Sequence, residues 1–282
     1  MKEQQNVITL PSNLRTSAKL SSTPRVLSIT SAKGGVGKTA FTLNLALALI
    51  RLGQKVLVLD GNLGLGNIHT LLGLSPKFTI KDYFSEKNSF REILLQNPNG
   101  ILVVPAGSGF PELSSLNDNQ KIALLSEVEL IAEQVNYVLI DVGSGISPNV
   151  LYFNIMAQES IIIVTPEPTS IANVIVLIKT LSTKHAKTHF SIIVNLVANE
   201  TEAREVYKKL AVTTDRCLGN ISIDYLGFVP PDKKLAVALK NQELIGEVYP
   251  ESPSSRSFRE LAKKIVEKQV QNKDGGLLHF LL

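Results

Sequence analysis

The sequence predicts an α/β fold, a mostly parallel central sheet covered by helices on both faces, and three observations point to it. First, runs rich in Val, Ile and Leu recur without polar alternation along the 282-residue chain, at 26–30, 56–60, 101–104, 137–141, 160–165, 191–195 and 225–228. Runs of that kind read as strands buried on both faces. Second, segments of helical period separate them, at 38–52, 119–135, 171–183 and 201–210, each long enough to cross back over a sheet. Third, a glycine-rich turn leads from the first strand run straight into an apolar helix.

With 44% hydrophobic and 19% charged residues, the chain can bury one substantial core. It divides into a leader over 1–24, a main domain over 25–255, and a basic helix with an apolar tail over 256–282. The leader holds two prolines and many Ser, Thr and Asn without apolar periodicity, so it is expected to be mobile. A single cysteine, Cys217, excludes an intramolecular disulfide, and four scattered histidines offer no zinc or iron–sulfur cluster. That points to a reducing, cytoplasmic compartment. The net charge of +4 is compatible with an anionic membrane surface but far short of a dedicated nucleic-acid binder, so direct DNA binding is not expected. No apolar run reaches the roughly 18 residues of a membrane span. The polar N-terminus lacks the apolar centre of a signal peptide.

The glycine-rich turn reads Ser31-Ala32-Lys33-Gly34-Gly35-Val36-Gly37-Lys38-Thr39-Ala40. A strand, a glycine loop and a helix N-terminus make an anion site, because loop amides and the unpaired amides of the first helical turn converge on phosphate oxygens. Glycine is needed where a Cβ would block that approach. Lys38 is placed to reach β- and γ-phosphates, and the Thr39 hydroxyl to ligate Mg²⁺. Two strand runs end in aspartate, Asp60 and Asp141, at the edge where open α/β sheets bind ligands. One such aspartate often only caps the next helix, whereas two beside a phosphate loop are more specific. Asp141 is assigned to Mg²⁺, and Asp60 to the metal shell or to its support. The small-residue turn Val142-Gly143-Ser144-Gly145 suits a switch loop.

Lys33 is an extra lysine inside the loop, and Ala32 stands where the ordinary P-loop has its first glycine. This Lys-Gly-Gly-Val-Gly-Lys-Thr form resembles the deviant Walker A of the MinD/ParA family of P-loop ATPases. The resemblance implies that ATP and Mg²⁺ bind, that ATP promotes a homodimer, and that Lys33 works in trans on the partner's phosphates. In the family an Asp-x-Asp-x-Gly-Leu segment follows the second strand, and its second aspartate is associated with the attacking water. Here Asn62 replaces that carboxylate in Asp60-Gly61-Asn62-Leu63-Gly64-Leu65. An amide orients water but cannot take its proton, so ATP hydrolysis is expected to be slow or absent with binding preserved. Asn195, Pro230 and Asp232 fall where this family brackets the adenine.

The stretches Asp141–Val150, Phe153-Asn154, Val164–Ser170, Leu63–Asn67 and Tyr249–Ser255 resemble the flagellar-number branch called FlhG, FleN or YlxH. That branch implies a cytoplasmic switch cycling between a monomer and a dimer peripheral to the inner face of the cell membrane. The partners it implies are the signal-recognition-type GTPase FlhF, flagellar switch or basal-body proteins, and a flagellar transcription activator. Of the GTPase-activating element Asp-Gln-Ala-x-x-Leu-Arg found in many relatives only Leu14-Arg15 remains, which argues against that activation. A nucleotide-bound adaptor without turnover and a ParA-like partitioning ATPase are the alternatives. At the C-terminus, Arg256, Arg259, Lys263, Lys264 and Lys268 accompany Phe258, Leu261, Ile265 and Val266 at near-helical spacing. Gly275-Gly276 then precedes Leu277, Leu278, Phe280, Leu281 and Leu282. The segment reads either as a reversible membrane foot or as a terminal helix packed on the domain.

Overall fold

A computed structural model describes residues 24–107 and 109–268. Residues 1–23 of the expected leader, with Leu14-Arg15, and Leu277, Leu278, Phe280, Leu281 and Leu282 lie outside them.

The described residues form one eight-stranded sheet. Its strands are β1 (Arg25–Ser31), β2 (Val56–Gly61), β3 (Leu95–Gln96), β4 (Leu102–Val104), β5 (Tyr137–Ser144), β6 (Glu159–Val164), β7 (His189–Asn195) and β8 (Ser222–Val229). In space the order is β3-β4-β2-β5-β1-β6-β7-β8, and every neighbouring pair is parallel except β3 with β4. All seven apolar runs are strands. The two-residue β3, absent from the sequence reading, is too short to leave a periodic signal.

Successive strand residues alternate between two cores. Val26, Leu57, Leu59, Val138 and Ile140 pack on one face beneath α3 (Ile80–Phe84), α4 (Phe90–Ile93), α5 (Asp118–Ala132), α6 (Pro148–Met156), α7 (Pro168–His185) and α8 (Glu200–Leu218). Leu27, Ile29, Val56, Val58 and Leu139 pack on the other beneath α1 (Lys38–Arg51), α2 (Ile68–Leu71), α9 (Lys233–Lys240), α10 (Ile245–Val248) and α11 (Pro253–Glu267). With both faces covered, the strands can be apolar throughout.

The helix α1 runs from the phosphate loop through the second core, with Phe41 to Leu49 all buried. Its two polar members inside that stretch are satisfied. Thr42 donates to the Lys38 carbonyl at 3.0 Å, and Asn44 donates to Ala40 O at 2.8 Å while accepting from the Ile245 amide at 3.0 Å. Two expected helices prove longer. The α7 helix starts at Pro168 rather than residue 171, since proline at the first turn gives up no bonded amide. The α8 helix continues past residue 210 to Leu218 because its apolar stripe continues to the buried Thr214.

The basic stretch from Arg256 falls within α11, which begins at Pro253, so the cut drawn at 255/256 lies inside this helix. Its face of Phe258, Leu261, Ala262 and Ile265 is buried in the core against α1 and β8, with the Phe41 and Phe258 rings 5.7 Å apart edge to face. That apolar face is therefore closed to a membrane. At the helix end Lys268 donates to Asp224 at 3.0 Å. Arg25, held by Glu159 at 2.6 Å, also donates to the Ile265 and Lys268 carbonyls.

Candidate functional site

All the strands bordering the phosphate loop are parallel, so their carboxyl ends open on one edge, and the candidate residues converge there. Between β1 and α1 the loop from Lys33 to Gly37 is wound with Gly35 at φ 75° and Gly37 at φ 87°. Both values lie in the left-handed region that glycine adopts at no steric cost. Gly37 is doubly constrained, because a Cβ there would stand 2.9 Å from the Asn195 amide nitrogen. Asn195, at the end of β7, donates that amide to Val36 O at 2.8 Å and accepts from the Leu196 amide at 3.0 Å. It therefore braces the phosphate loop from outside.

Asp141 lies at the heart of the edge. Its carboxylate accepts from the Thr39 hydroxyl at 2.7 Å and from the Thr42 hydroxyl at 3.2 Å. Burial raises it to about 6, against the hydrogen bonds of Thr39 and Thr42 and the charge of Lys38. Asp60 is its register partner on β2. There the carboxylate accepts from the amides of Asn62 and Ile68, each at 3.2 Å. Burial and then the charge of Asp141 push Asp60 up to about 8, and the amides of Ile68, Asn62 and Asn67 pull the other way. Asp60 thus secures the loop after β2.

Two buried carboxylates side by side call for a cation. The adjoining donors are a threonine hydroxyl and carboxylate oxygens, the hard set that suits Mg²⁺ with phosphate and water completing its shell. Thr39 and Asp141 would hold it. Lys38, whose ammonium burial lowers and Asp141 partly restores, donates to the Ser144 hydroxyl at 2.8 Å. Lys33 pairs with Glu167, the residue before α7.

Asn62 projects from the loop after β2, its amide donating to Leu65 O at 3.2 Å and its side-chain oxygen beside Gly143. It faces the turn Val142-Gly143-Ser144-Gly145 that follows Asp141. Asp232 and Pro230 sit at the end of β8. There Asp232 caps α9 through the Lys234 amide at 2.9 Å and accepts from the Ser254 hydroxyl at 2.8 Å, so its carboxylate ties α9 to α11. The sequence reading missed Ser144, Glu167 and Thr42 as site members. Ser144 lay within the turn read as a switch, whereas nothing local marks Glu167 as the mate of a lysine 134 residues away.

The model of the "4Fe-4S iron sulfur cluster binding proteins, NifH/frxC family" matches residues 27–274. The antiactivator FleN of Pseudomonas aeruginosa is 36% identical over 258 residues, covering 92% of each chain. The flagellum site-determining protein YlxH of Helicobacter pylori is 26% identical, over 86% of this chain and 82% of its own. The septum site-determining protein MinD of Pyrococcus horikoshii, solved in complex with Mg-ADP, superposes with a TM-score of 0.73 at 20% identity, over 86% of this chain and 96% of that one. The cluster in the matched family's description does not fit here. Such a cluster takes four cysteine thiolates. This chain has one cysteine, exposed on α8, so even two copies would supply only two.

Proposed function

The chain belongs to the MinD/ParA-type deviant Walker A ATPases, in the flagellar-number regulator branch, and on that footing we propose that it is an ATP-dependent switch that hydrolyses slowly and controls the number and placement of flagella. In this reading the loop amides from Gly34 to Thr39 bind the phosphates, Lys38 turns from Ser144 to the β- and γ-phosphates, and Thr39 and Asp141 hold Mg²⁺. Bound Mg²⁺ would neutralise the charge that builds on the phosphates. Asn195 keeps the loop in shape, and Asn62 orients the attacking water without accepting its proton.

One observation carries the dimer part of the reading. Lys33 lies in the phosphate loop, paired with an exposed glutamate. On loops following β2, β5 and β7, at the same edge of the sheet, the apolar Leu65, Ile146 and Leu196 are 74%, 49% and 49% exposed. An edge carrying a loosely held cation and exposed apolar side chains suits the face of a second copy. Membrane attachment would fall to residues beyond 268, and the partners to the flagellar GTPase, basal-body proteins or transcription activator that the branch implies.

The test is the size of the full chain with and without ATP and Mg²⁺, together with turnover of wild type and Asn62→Asp. Dimers that form only with ATP, and faster turnover in Asn62→Asp by up to the roughly 10²–10⁴ a general base supplies, are the expected results. ATP-bound dimers without turnover in either protein would replace the switch by a nucleotide-held adaptor. A chain that binds no nucleotide overturns both.

A further inference from the structure

We propose that the Ser144 hydroxyl is the group by which this chain tells a nucleoside triphosphate from a diphosphate, an assignment that deepens the ATP-switch reading and rests on it. Ser144 closes β5, three residues beyond Asp141, and pairs in register with Ser31 just ahead of the phosphate loop. The Gly145 amide donates to Ser31 O at 3.2 Å, which fixes this end of the strand against the loop. Its hydroxyl accepts from the Lys38 ammonium at 2.8 Å, and a Cβ on Gly34 would lie 3.7 Å from the same oxygen. The oxygen thus stands over the loop, between its first glycine and its last lysine, on an exposed residue. Across the cleft Asn62 approaches the preceding Gly143.

The lysine of a phosphate loop pairs with β- and γ-phosphates. A phosphate oxygen taken by Lys38 therefore comes within reach of the hydroxyl that Lys38 now occupies. Serine can serve both states, because its O–H rotates: it accepts from the ammonium in the empty site and donates to an anionic oxygen in the filled one. In this proposal the loop amides would meet the phosphates nearer the nucleoside, and the terminal phosphate would be the one that reaches the Ser144 hydroxyl at the end of β5. Ser144 should therefore contribute to triphosphate affinity and leave diphosphate affinity alone.

The contact with Lys38 could instead be a resting place and nothing more, and the two roles part in one experiment. Calorimetry on the full chain with Mg²⁺ would measure ADP and a non-hydrolysable ATP analogue on wild type, Ser144→Ala and Ser144→Thr. A hydroxyl bonded to a charged acceptor is worth about tenfold or more in affinity. The proposal expects Ser144→Ala to weaken the ATP analogue by that factor with ADP unchanged, and Ser144→Thr, which keeps the hydroxyl, to behave as wild type. Tighter binding of both nucleotides by Ser144→Ala would mean that the serine only holds the lysine back, and equal or unchanged affinities would likewise overturn the assignment. If the wild type binds ADP and the analogue while Ser144→Ala discriminates normally, this assignment falls alone. If the wild type binds neither, the nucleotide reading falls with it.

Discussion

The Lys33 ammonium is paired within its own chain to the Glu167 carboxylate, 134 residues away at the start of α7. Their side chains are 35% and 56% exposed, so the pair sits in water and is worth about 0–1 kcal/mol. It occupies the lysine without committing it, so in the proposed dimer an anion from a second copy would displace the glutamate. Glu167→Gln should release Lys33 and lower the ATP concentration needed for dimerisation by at most about fivefold, the equivalent of that energy. Sedimentation across an ATP titration checks this. A weaker dimer in Glu167→Gln would show that the carboxylate belongs to the interface and not to a restraint on it.

Asn195 acts differently, since its bond to Val36 O supports the loop proposed to hold the phosphates common to ATP and ADP. Replacing it by alanine leaves a buried carbonyl unpaired, a cost of about 1–3 kcal/mol. Asn195→Ala should lose that much stability in denaturant unfolding and weaken ADP and an ATP analogue by the same factor. A loss confined to one nucleotide would move Asn195 from bracing the loop to touching the ligand.

What the sequence made legible follows from how local each signal is. The runs at 26–30 and 137–141 are buried at every position and rich in Val, Leu and Ile because both faces of β1 and β5 are covered, so they stand out without any partner in view. The phosphate loop is legible for the same reason, as strand, glycines, lysine and helix are contiguous. By contrast α6 is apolar nearly all round and shows no amphipathic period, and it went unread as a helix. Ser144, Glu167 and Thr42 became site members only through contacts spanning 106, 134 and 99 residues. Asp232, placed near the adenine by the family resemblance alone, also caps α9 locally through the Lys234 amide, whereas its bond to Ser254 depends on a helix 22 residues further along.

Lys187 carries a pH dependence. Its amine donates to the carbonyls of Asn154 and Ala157 at 2.6 and 2.7 Å, closing the end of α6. Burial pushes it down from 10.5 to about 7, with Glu159 resisting. Between those values the unfolded chain binds the proton and the folded chain does not, so stability rises with pH, by at most about 1.4 kcal/mol per unit. Below 7 both states are charged and this slope vanishes. Lys187→Met removes the titrating group, so the difference in unfolding free energy between wild type and variant should grow in favour of wild type from pH 7 to 9.5. A constant difference over that range would place the amine in contact with water.

Within the C-terminal segment, α11 is part of the folded domain. Through α11, Phe258, Leu261, Ala262 and Ile265 join the core against α1, the helix that begins at the phosphate loop. Phe258→Ala should therefore cost about 3–5 kcal/mol, the range for a buried aromatic. A chain ending before 253 should fail to fold, because the α1 face would be bared. A chain ending at 268 keeps α11 and the contacts of Lys268 with Asp224 and of Arg25 with the helix end, so its melting temperature and ADP affinity should equal those of the full chain. Because the apolar face of α11 is enclosed, we predict that any affinity for lipid comes from the residues that this truncation removes. Flotation with anionic vesicles in ATP should lose the shortened chain and retain the full one. Equal flotation of both would move the lipid contact onto the folded domain, and no flotation of either would end the membrane reading.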